Sequence, residues 1–111
     1  HPYADDPSAA IRDWAAKYKA KFGEDATVFS VYGWYFMELF QQAVEKAGPD
    51  LTVDSFLKAI EDNKFKSALF ESPPCVVTPT NRLCSGAIRL SQIQNQKWVV
   101  VKQWVEPRKT N

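Results

Sequence analysis

The stretch from Thr27 to Gly48 constrains the fold of this chain more than any other part. It reads TVFSVYGWYFMELFQQAVEKAG, and its spacing predicts a helix from about Thr27 or Ser30 to Ala47, ended by Gly48-Pro49. Two neighbouring apolar stripes leave a single polar side, formed by Trp34, Glu38, Gln41 and Glu45. A helix that is apolar around most of its circumference needs other elements to cover it on two sides.

The large apolar residues of this helix fall into two groups. Phe36, Met37 and Phe40 lie in its middle, where we expect them to belong to the core. Phe29 and Tyr32 lie at its N-terminal end, where a helix presents free N–H groups and a partial positive charge. The core interpretation is therefore weaker for these two rings than for the middle group.

Two shorter helices flank the long one. Asp6-Pro7 predicts the start of the first, with Asp6 as its cap, and Gly23 predicts its end. Its apolar stripe consists of Ile11, Trp14, Ala15, Tyr18 and Phe22. Thr52 predicts the cap of the third helix. The inner face of that helix is expected to consist of Val53, Phe56, Leu57 and Ile60.

Beyond the third helix the apolar period changes from helical to two residues. NKFKSALFESPP reads as a loop, and strands are expected in CVVTP, AIRLSQIQ and KWVVVKQWV. Asn95-Gln96 predicts a hairpin turn between the last two strands. The alternation within AIRLSQIQ slips by one residue near Gln92, which indicates a bulge or a strand whose surroundings change along its length.

These elements do not make a complete fold. The natural cover for such helices is a parallel sheet, whose strands read as continuous Val/Ile runs between helices, and those runs are missing here. We therefore expect the chain to be part of a larger α/β protein. The first residues, HPYADDPSAAIRDW, contain neither an initiating Met nor an apolar leader core, so we expect the chain to begin inside a longer sequence.

Charge and residue content exclude several classes of function. Lys and Arg total 14 against 13 Asp and Glu, and the charges are interspersed, so no basic patch for nucleic acid or an anionic membrane is present. The single histidine is His1, which leaves no internal Ser-His-Asp or Cys-His arrangement. No phosphate-binding glycine motif and no zinc-ligand spacing occurs. We expect no enzyme active site, metal or cofactor in these residues.

The cysteines Cys75 and Cys84 bracket the sequence VVTPTNRL. In an oxidising compartment they would close a small loop bent at Pro79. Two reduced and partly buried thiols are the alternative, and the sequence leaves both open.

Several short segments occur in an order that resembles one protein family. YKAKFG is followed by VF and YG, then by AGPDLT, and a TPTN turn precedes the final hairpin. This order resembles the C-terminal third of a type I periplasmic substrate-binding protein, in the branched-chain amino acid (Leu/Ile/Val) receptor family of ABC importers. The resemblance extends from about Pro2 to Val105.

The resemblance implies an α/β fold, as part of the two-lobed type I periplasmic-binding-protein fold, with three helices followed by strands and a C-terminal β-hairpin. Residues 1–90 would give helices and a strand to one lobe, and residues 91–111 would form the hinge crossing and the terminal hairpin that reaches the other lobe. The position matching Phe29 contacts the ligand in relatives, Tyr32 lies near the same edge of the interlobe cleft, and Tyr3 lies in a loop that approaches the cleft.

The function implied is that of an extracytoplasmic solute-binding receptor, here a fragment, which is not an enzyme and needs no cofactor. Its ligand would be a small amino acid or an aromatic or aliphatic carboxylate. Its partners would be the N-terminal remainder of the same protein and a membrane permease, in a periplasmic or extracellular location, secreted or lipid-anchored. The alternative is a ligand-sensing or protein-interaction half-domain without a transport role.

Two departures from the family pattern bear on the ligand. Relatives often carry an Asp after a Tyr-Gly-Tyr, where this chain reads Trp34-Tyr35-Phe36. They also end the TPTN turn in a sequence like His-Gln-Gly, where this chain reads Arg82-Leu83-Cys84. The richer aromatic edge favours an aromatic or aliphatic carboxylate over a branched-chain amino acid.

Overall fold

The computed structural model describes residues 6–106, which form three helices followed by two small antiparallel sheets. The helices are α1 (Ala9–Phe22), α2 (Val28–Ala47) and α3 (Val53–Glu61). The strands are β1 (Lys64–Phe65), β2 (Cys75–Val76), β3 (Ile88–Gln94) and β4 (Lys97–Val105). β1 pairs with β2, and β3 pairs with β4. The predicted order of three helices, strands and a C-terminal hairpin is confirmed.

The ends of α1 follow from local hydrogen bonding. Ser8, and not the predicted Asp6, is the N-cap, since the Ser8 Oγ accepts a hydrogen bond from the Ile11 N–H at 3.3 Å. The Asp6 carboxylate accepts instead from the Ser8 N–H at 3.0 Å, one step outside the helix. Gly23 ends the helix as predicted, with a left-handed φ of 77° that disfavours side chains other than glycine.

Two clusters of buried side chains form the core of residues 6–106. One joins α1 to α2 and consists of Ile11, Trp14, Val31, Tyr35 and Phe70. The other joins α2 to the β1–β2 sheet and consists of Ala43, Phe65, Cys75 and Val77. Because both clusters include residues of α2, the long helix is the element around which the chain is organised.

The opposite side of α2 is covered only in part. Phe36, Met37 and Phe40 were predicted to lie in the core, but they are 62%, 63% and 49% exposed. The prediction is wrong for the described chain because α3 reaches this side only near Phe40, whose ring meets Phe56 with a centroid distance of 5.5 Å. The same correction applies to three further predicted core residues that are exposed, Phe22, Val53 and Leu57.

The segment predicted as a loop, NKFKSALFESPP, is more ordered than its sequence indicates. It contains β1, and both Phe65 and Phe70 are buried. Glu38 of α2 holds it in place, because its carboxylate accepts hydrogen bonds from the Ser67 hydroxyl and the Ala68 N–H, each at 2.6 Å. Glu38, on the side of α2 predicted to be polar, therefore has a structural role in binding this segment.

Cys75 and Cys84 lie next to each other behind this segment. Their Cα atoms are 4.3 Å apart and a disulfide joins them in the structure. The Val76 N–H donates to the Cys84 carbonyl at 3.0 Å, so backbone hydrogen bonding closes the same loop. Within the loop, Thr78 and Asn81 exchange backbone hydrogen bonds around the predicted turn.

The β3–β4 hairpin turns at Asn95 and Gln96, which have φ values of 51° and 64°. Two consecutive positive φ values are typical of the tight turn that was predicted for these residues. The pairing is regular from the turn back to Ser91 and Val100, and it is irregular between Ile88 and Ser91. A bulge is thus present, but it lies earlier in β3 than the slip near Gln92 predicted.

The described chain is a slab with extents of 48 × 44 × 18 Å. Such a thin body leaves much apolar surface exposed. A groove of about 540 Å³ between α1 and α2, for example, includes Trp34 and Met37. Among the described helices, none combines the length and the apolar content that crossing a bilayer demands.

Candidate functional site

The N-terminal end of α2 and the base of the β3–β4 hairpin enclose a cavity of about 290 Å³. It is the place where the predicted ligand-contacting end of α2 meets the predicted hinge region. The residues that line it are Val28, Tyr32, Ala87, Ile88, Arg89, Ser91 and Trp104.

The first turn of α2 borders this cavity through Val28. Thr27 starts the helix, and its N–H donates to the Ser30 Oγ at 3.1 Å. The Thr27 and Ser30 hydroxyl oxygens lie 3.4 Å apart. These contacts fix the start of the helix beside the cavity, where the positive end of the helix dipole favours negative charge.

The structure separates the three residues predicted to contact a ligand. Tyr32 lines the cavity, is 37% exposed, and stacks on Phe36 with a centroid distance of 6.4 Å. Phe29 lies one turn earlier, is 78% exposed and does not line the cavity. Tyr3 lies outside the described residues. Phe29 and Tyr3 therefore stay predictions for the cleft, and the structure brings Tyr32 together with residues of the hairpin.

The hairpin contributes a basic and an aromatic side chain that sequence reasoning missed. The Arg89 guanidinium lies over the Trp104 ring, 5.3 Å from its centroid. Arg89 and Ser91 alternate along β3 and are half-buried, whereas Ile88 and Leu90 between them are exposed. The alternation of residues along β3 could have indicated that Arg89 and Ser91 share one side of the strand. The apolar residues were instead taken to mark the inward side.

The lining of the cavity is apolar with a small polar set. The Val28, Ala87 and Ile88 side chains and the Trp104 ring supply apolar surface, and Tyr32, Ser91 and Arg89 supply polar groups. Small-molecule sites are typically built in this way, from apolar walls and a few convergent polar groups. The arrangement suits the binding of a small solute and contains no nucleophile–base pair.

Tyr35 lies in the core next to the cysteine pair, and its hydroxyl is 4.0 Å from the Cys84 Sγ. Burial raises the pKa of the Tyr35 phenol above its ordinary value, the Ser72 hydroxyl opposes this, and the Glu38 carboxylate raises it further. The phenol is therefore neutral under ordinary conditions and has a structural role. Within residues 6–106, no group of three His, Cys, Asp or Glu side chains is placed to hold a metal ion.

Comparison with known protein families gives one match. The family model described as periplasmic binding protein matches residues 1–97, a range that includes all three helices and β3. Neither the curated proteins nor the solved structures include a significant match.

Proposed function

This chain belongs to the periplasmic binding protein family, and from that premise we propose that it is part of an extracytoplasmic solute receptor of an ABC importer. The family is one of solute-binding proteins, typically not enzymes, found in the periplasm or outside the cell. One observation carries the proposal. The cavity between α2 and the hairpin lies beside Tyr32, where the resemblance places the ligand cleft.

The ligand proposed for this cleft is a small amino acid or an aromatic or aliphatic carboxylate. The Tyr32 and Trp104 rings support an apolar ligand body, since aromatic walls remove apolar surface from water. Phe29 would complete the aromatic edge in the closed receptor, and Tyr3 would approach it from the loop before α1.

We further propose that the chain is the C-terminal third of the receptor and that the N-terminal remainder supplies the missing sheet. The exposure of Phe36, Met37 and Phe40 supports this, because a helix side with three large apolar residues needs cover. Residues 1–90 would then belong to one lobe, and residues 91–111 would cross to the other. The irregular pairing between Ile88 and Ser91 lies at that boundary.

The mechanism proposed is closure of the two lobes around the solute, followed by docking on the membrane permease. A ligand drives closure only as far as it binds the closed state better than the open one. Residues from both sides of the cavity, Tyr32 on α2 and Trp104 on β4, supply such a differential contact if they approach each other on closure.

A second candidate is a ligand-sensing or protein-interaction half-domain without a transport role. The 540 Å³ apolar groove between α1 and α2 favours it, because such a groove is also suited to a permanent protein partner.

The test is a binding titration of the full-length protein with small amino acids and with aromatic and aliphatic carboxylates. Calorimetry and small-angle scattering would be measured together. A solute that binds and reduces the radius of gyration supports the receptor. A full-length protein that binds no solute of the panel, but forms a stable complex with another protein, supports the second candidate.

A further inference from the structure

We propose that Arg89 is the anion anchor of the cavity and that the solute is an apolar monocarboxylate without an ammonium group. The proposal rests on the solute-receptor function and goes further by naming the charge of the ligand and the residue that selects it.

The Arg89 guanidinium is positioned by the Trp104 ring. Its central carbon lies over the Trp104 ring, 5.3 Å from the ring centroid, which is a cation–π contact. A guanidinium in contact with a ring still carries N–H groups in its own plane, and these can donate to two oxygens of a carboxylate at once. Trp104 therefore restricts the side chain of Arg89 to a position from which it can bind a planar anion.

The described lining of the cavity carries a positive charge. Arg89 is the only charged side chain among the residues that line it, and the start of α2 adds a partial positive charge through the turn that contains Val28. In the described part of the chain, no carboxylate lies within ion-pair distance of Arg89, since the ion pairs found there are Lys19–Asp25 and Arg82–Glu61. An uncompensated cation in a half-buried site favours an anionic ligand.

Acidic residues lie on the other side of Arg89. Asp6 and Glu71 line a separate cavity of about 510 Å³ between the start of α1 and the hairpin, which Arg89 and Lys97 also border. That cavity contains charges of both signs, so it offers no excess of positive charge. Among the described residues, the 290 Å³ cavity thus presents the Arg89 cation and no carboxylate, a lining that attracts a carboxylate group and repels an ammonium group.

The size of the cavity suits a small ligand. At about 290 Å³, the cavity is near the lower end of the range of roughly 300–1,000 Å³ that is usual for ligand sites. Val28 and Ile88 on its walls leave room for a short aliphatic chain or a single ring. A monocarboxylate of that size places its charge on Arg89 and its apolar part against the side chains.

The test uses matched probes on the full-length protein: phenylacetate and isovalerate, their uncharged amides, and the zwitterions phenylalanine and leucine. Calorimetry would measure each on the wild type and on Arg89→Gln, Arg89→Lys and Arg12→Gln. Arg12 is exposed on α1, away from the cavity, and its replacement removes the same charge as a control.

We expect a carboxylate to bind and its amide to bind at least tenfold more weakly. Arg89→Gln should weaken binding of the acid by about 10- to 100-fold, the usual effect of losing a charge-assisted bidentate contact. The affinity of Arg89→Lys for the acid should lie between those of Arg89→Gln and the wild type. The affinity of Arg12→Gln should equal that of the wild type. If Arg89→Gln does not fold, the test uses the ratio of the affinities for the acid and for its amide. This ratio should be at least tenfold in the wild type and smaller in Arg89→Lys.

Two results overturn the proposal in different ways. If an amide or a zwitterion binds as tightly as the acids, and Arg89→Gln binds it as the wild type does, Arg89 is not an anion anchor, but the receptor function stands. If none of the six probes binds, the monocarboxylate proposal is rejected, whereas the receptor function is rejected only if the wider solute panel also fails and the protein instead forms a stable complex with another protein.

Discussion

The Glu38 carboxylate on α2 accepts a hydrogen bond of 2.6 Å from the Ser67 hydroxyl, 29 positions further along the chain. Ser67 is buried, and its oxygen also accepts from the Phe70 N–H at 2.8 Å. This pair positions the turn that inserts the Phe70 ring into the core, where it meets the edge of Trp14.

Removing that carboxylate should destabilise the protein. We expect Glu38→Ala to lower the free energy of unfolding by about 2 kcal/mol, since a buried hydroxyl and an amide lose their partner. Chemical denaturation of the full-length protein would measure this change in the free energy of unfolding. Glu45→Ala is the control, because Glu45 accepts from Gln41 on the exposed side of the same helix. Equal losses for the two variants would contradict the role of Glu38.

Phe29 is predicted to contact the ligand although it is exposed here. We expect Phe29→Ala to weaken solute binding about tenfold while changing the melting temperature little, because an exposed ring contributes little to folding. Phe22→Ala, an exposed ring on α1, should leave binding unchanged. Unchanged affinity in Phe29→Ala, measured by calorimetry on the full-length protein, would remove this residue from the site.

The cysteine pair predicts a response to reduction. A disulfide between Cys75 and Cys84 closes a short loop, and its loss should lower the free energy of unfolding by roughly 2–3 kcal/mol. The wild type should melt lower with reductant, and the double variant Cys75→Ser/Cys84→Ser should not respond to it. Mass spectrometry after alkylation that finds both thiols free in the oxidised protein would contradict the pairing.

Tyr35 predicts a loss of stability in alkali. Its pKa is raised in the folded state from an ordinary value of 10.0, chiefly by burial, so the folded protein holds the phenol proton more tightly than the unfolded chain does. The stabilisation is complete below pH 10 and is lost as the pH rises through the folded pKa. Tyr35→Phe should show a smaller decrease of unfolding free energy between pH 9 and about 11. An identical decrease in both proteins would exclude Tyr35 as a source.

The backbone conformation of Gln96 predicts that a substitution in the hairpin turn will stabilise the hairpin. Gln96 has a φ of 64°, which costs a residue with a side chain about 1 kcal/mol relative to glycine. We expect Gln96→Gly to slow hydrogen exchange of the β3–β4 amides. Gln94→Gly, in the regular part of β3, should speed it instead. Faster exchange in both variants would contradict the turn conformation.

Local signals in the sequence predicted local structure well. Gly23 and Thr52 mark helix ends, and Asn95-Gln96 marks the hairpin turn, because each depends on the backbone within a few residues. The cap of α1 was missed by two positions, since Asp6 and Ser8 are both able to cap and the chain uses the one within reach of the Ile11 amide.

Contacts between distant residues could not be predicted in this way. Nothing near Glu38 indicates that it binds Ser67, and nothing in a sequence rich in Lys and Ser indicates that Phe70 is buried. Phe36 was assigned to the core because it is apolar, yet it is exposed in the described chain, since the pattern of one helix does not show which elements cover it. Arg89 was missed because an apolar pattern was taken to mark the inward side of β3.

The irregular pairing between Ile88 and Ser91 interrupts the ladder at one end of the hairpin, where we expect the hairpin to bend. The ladder from Ser91 to the turn is regularly paired, so we expect bending to be concentrated at the irregular end, which borders the cavity. The turn lies about 20 Å from Ile88 at the usual rise of a strand, and a rotation of about 10° at that end would displace it by about 3–4 Å. A ligand that shifts Arg89 slightly would thereby move the hairpin turn, which lies far from the binding site of the ligand.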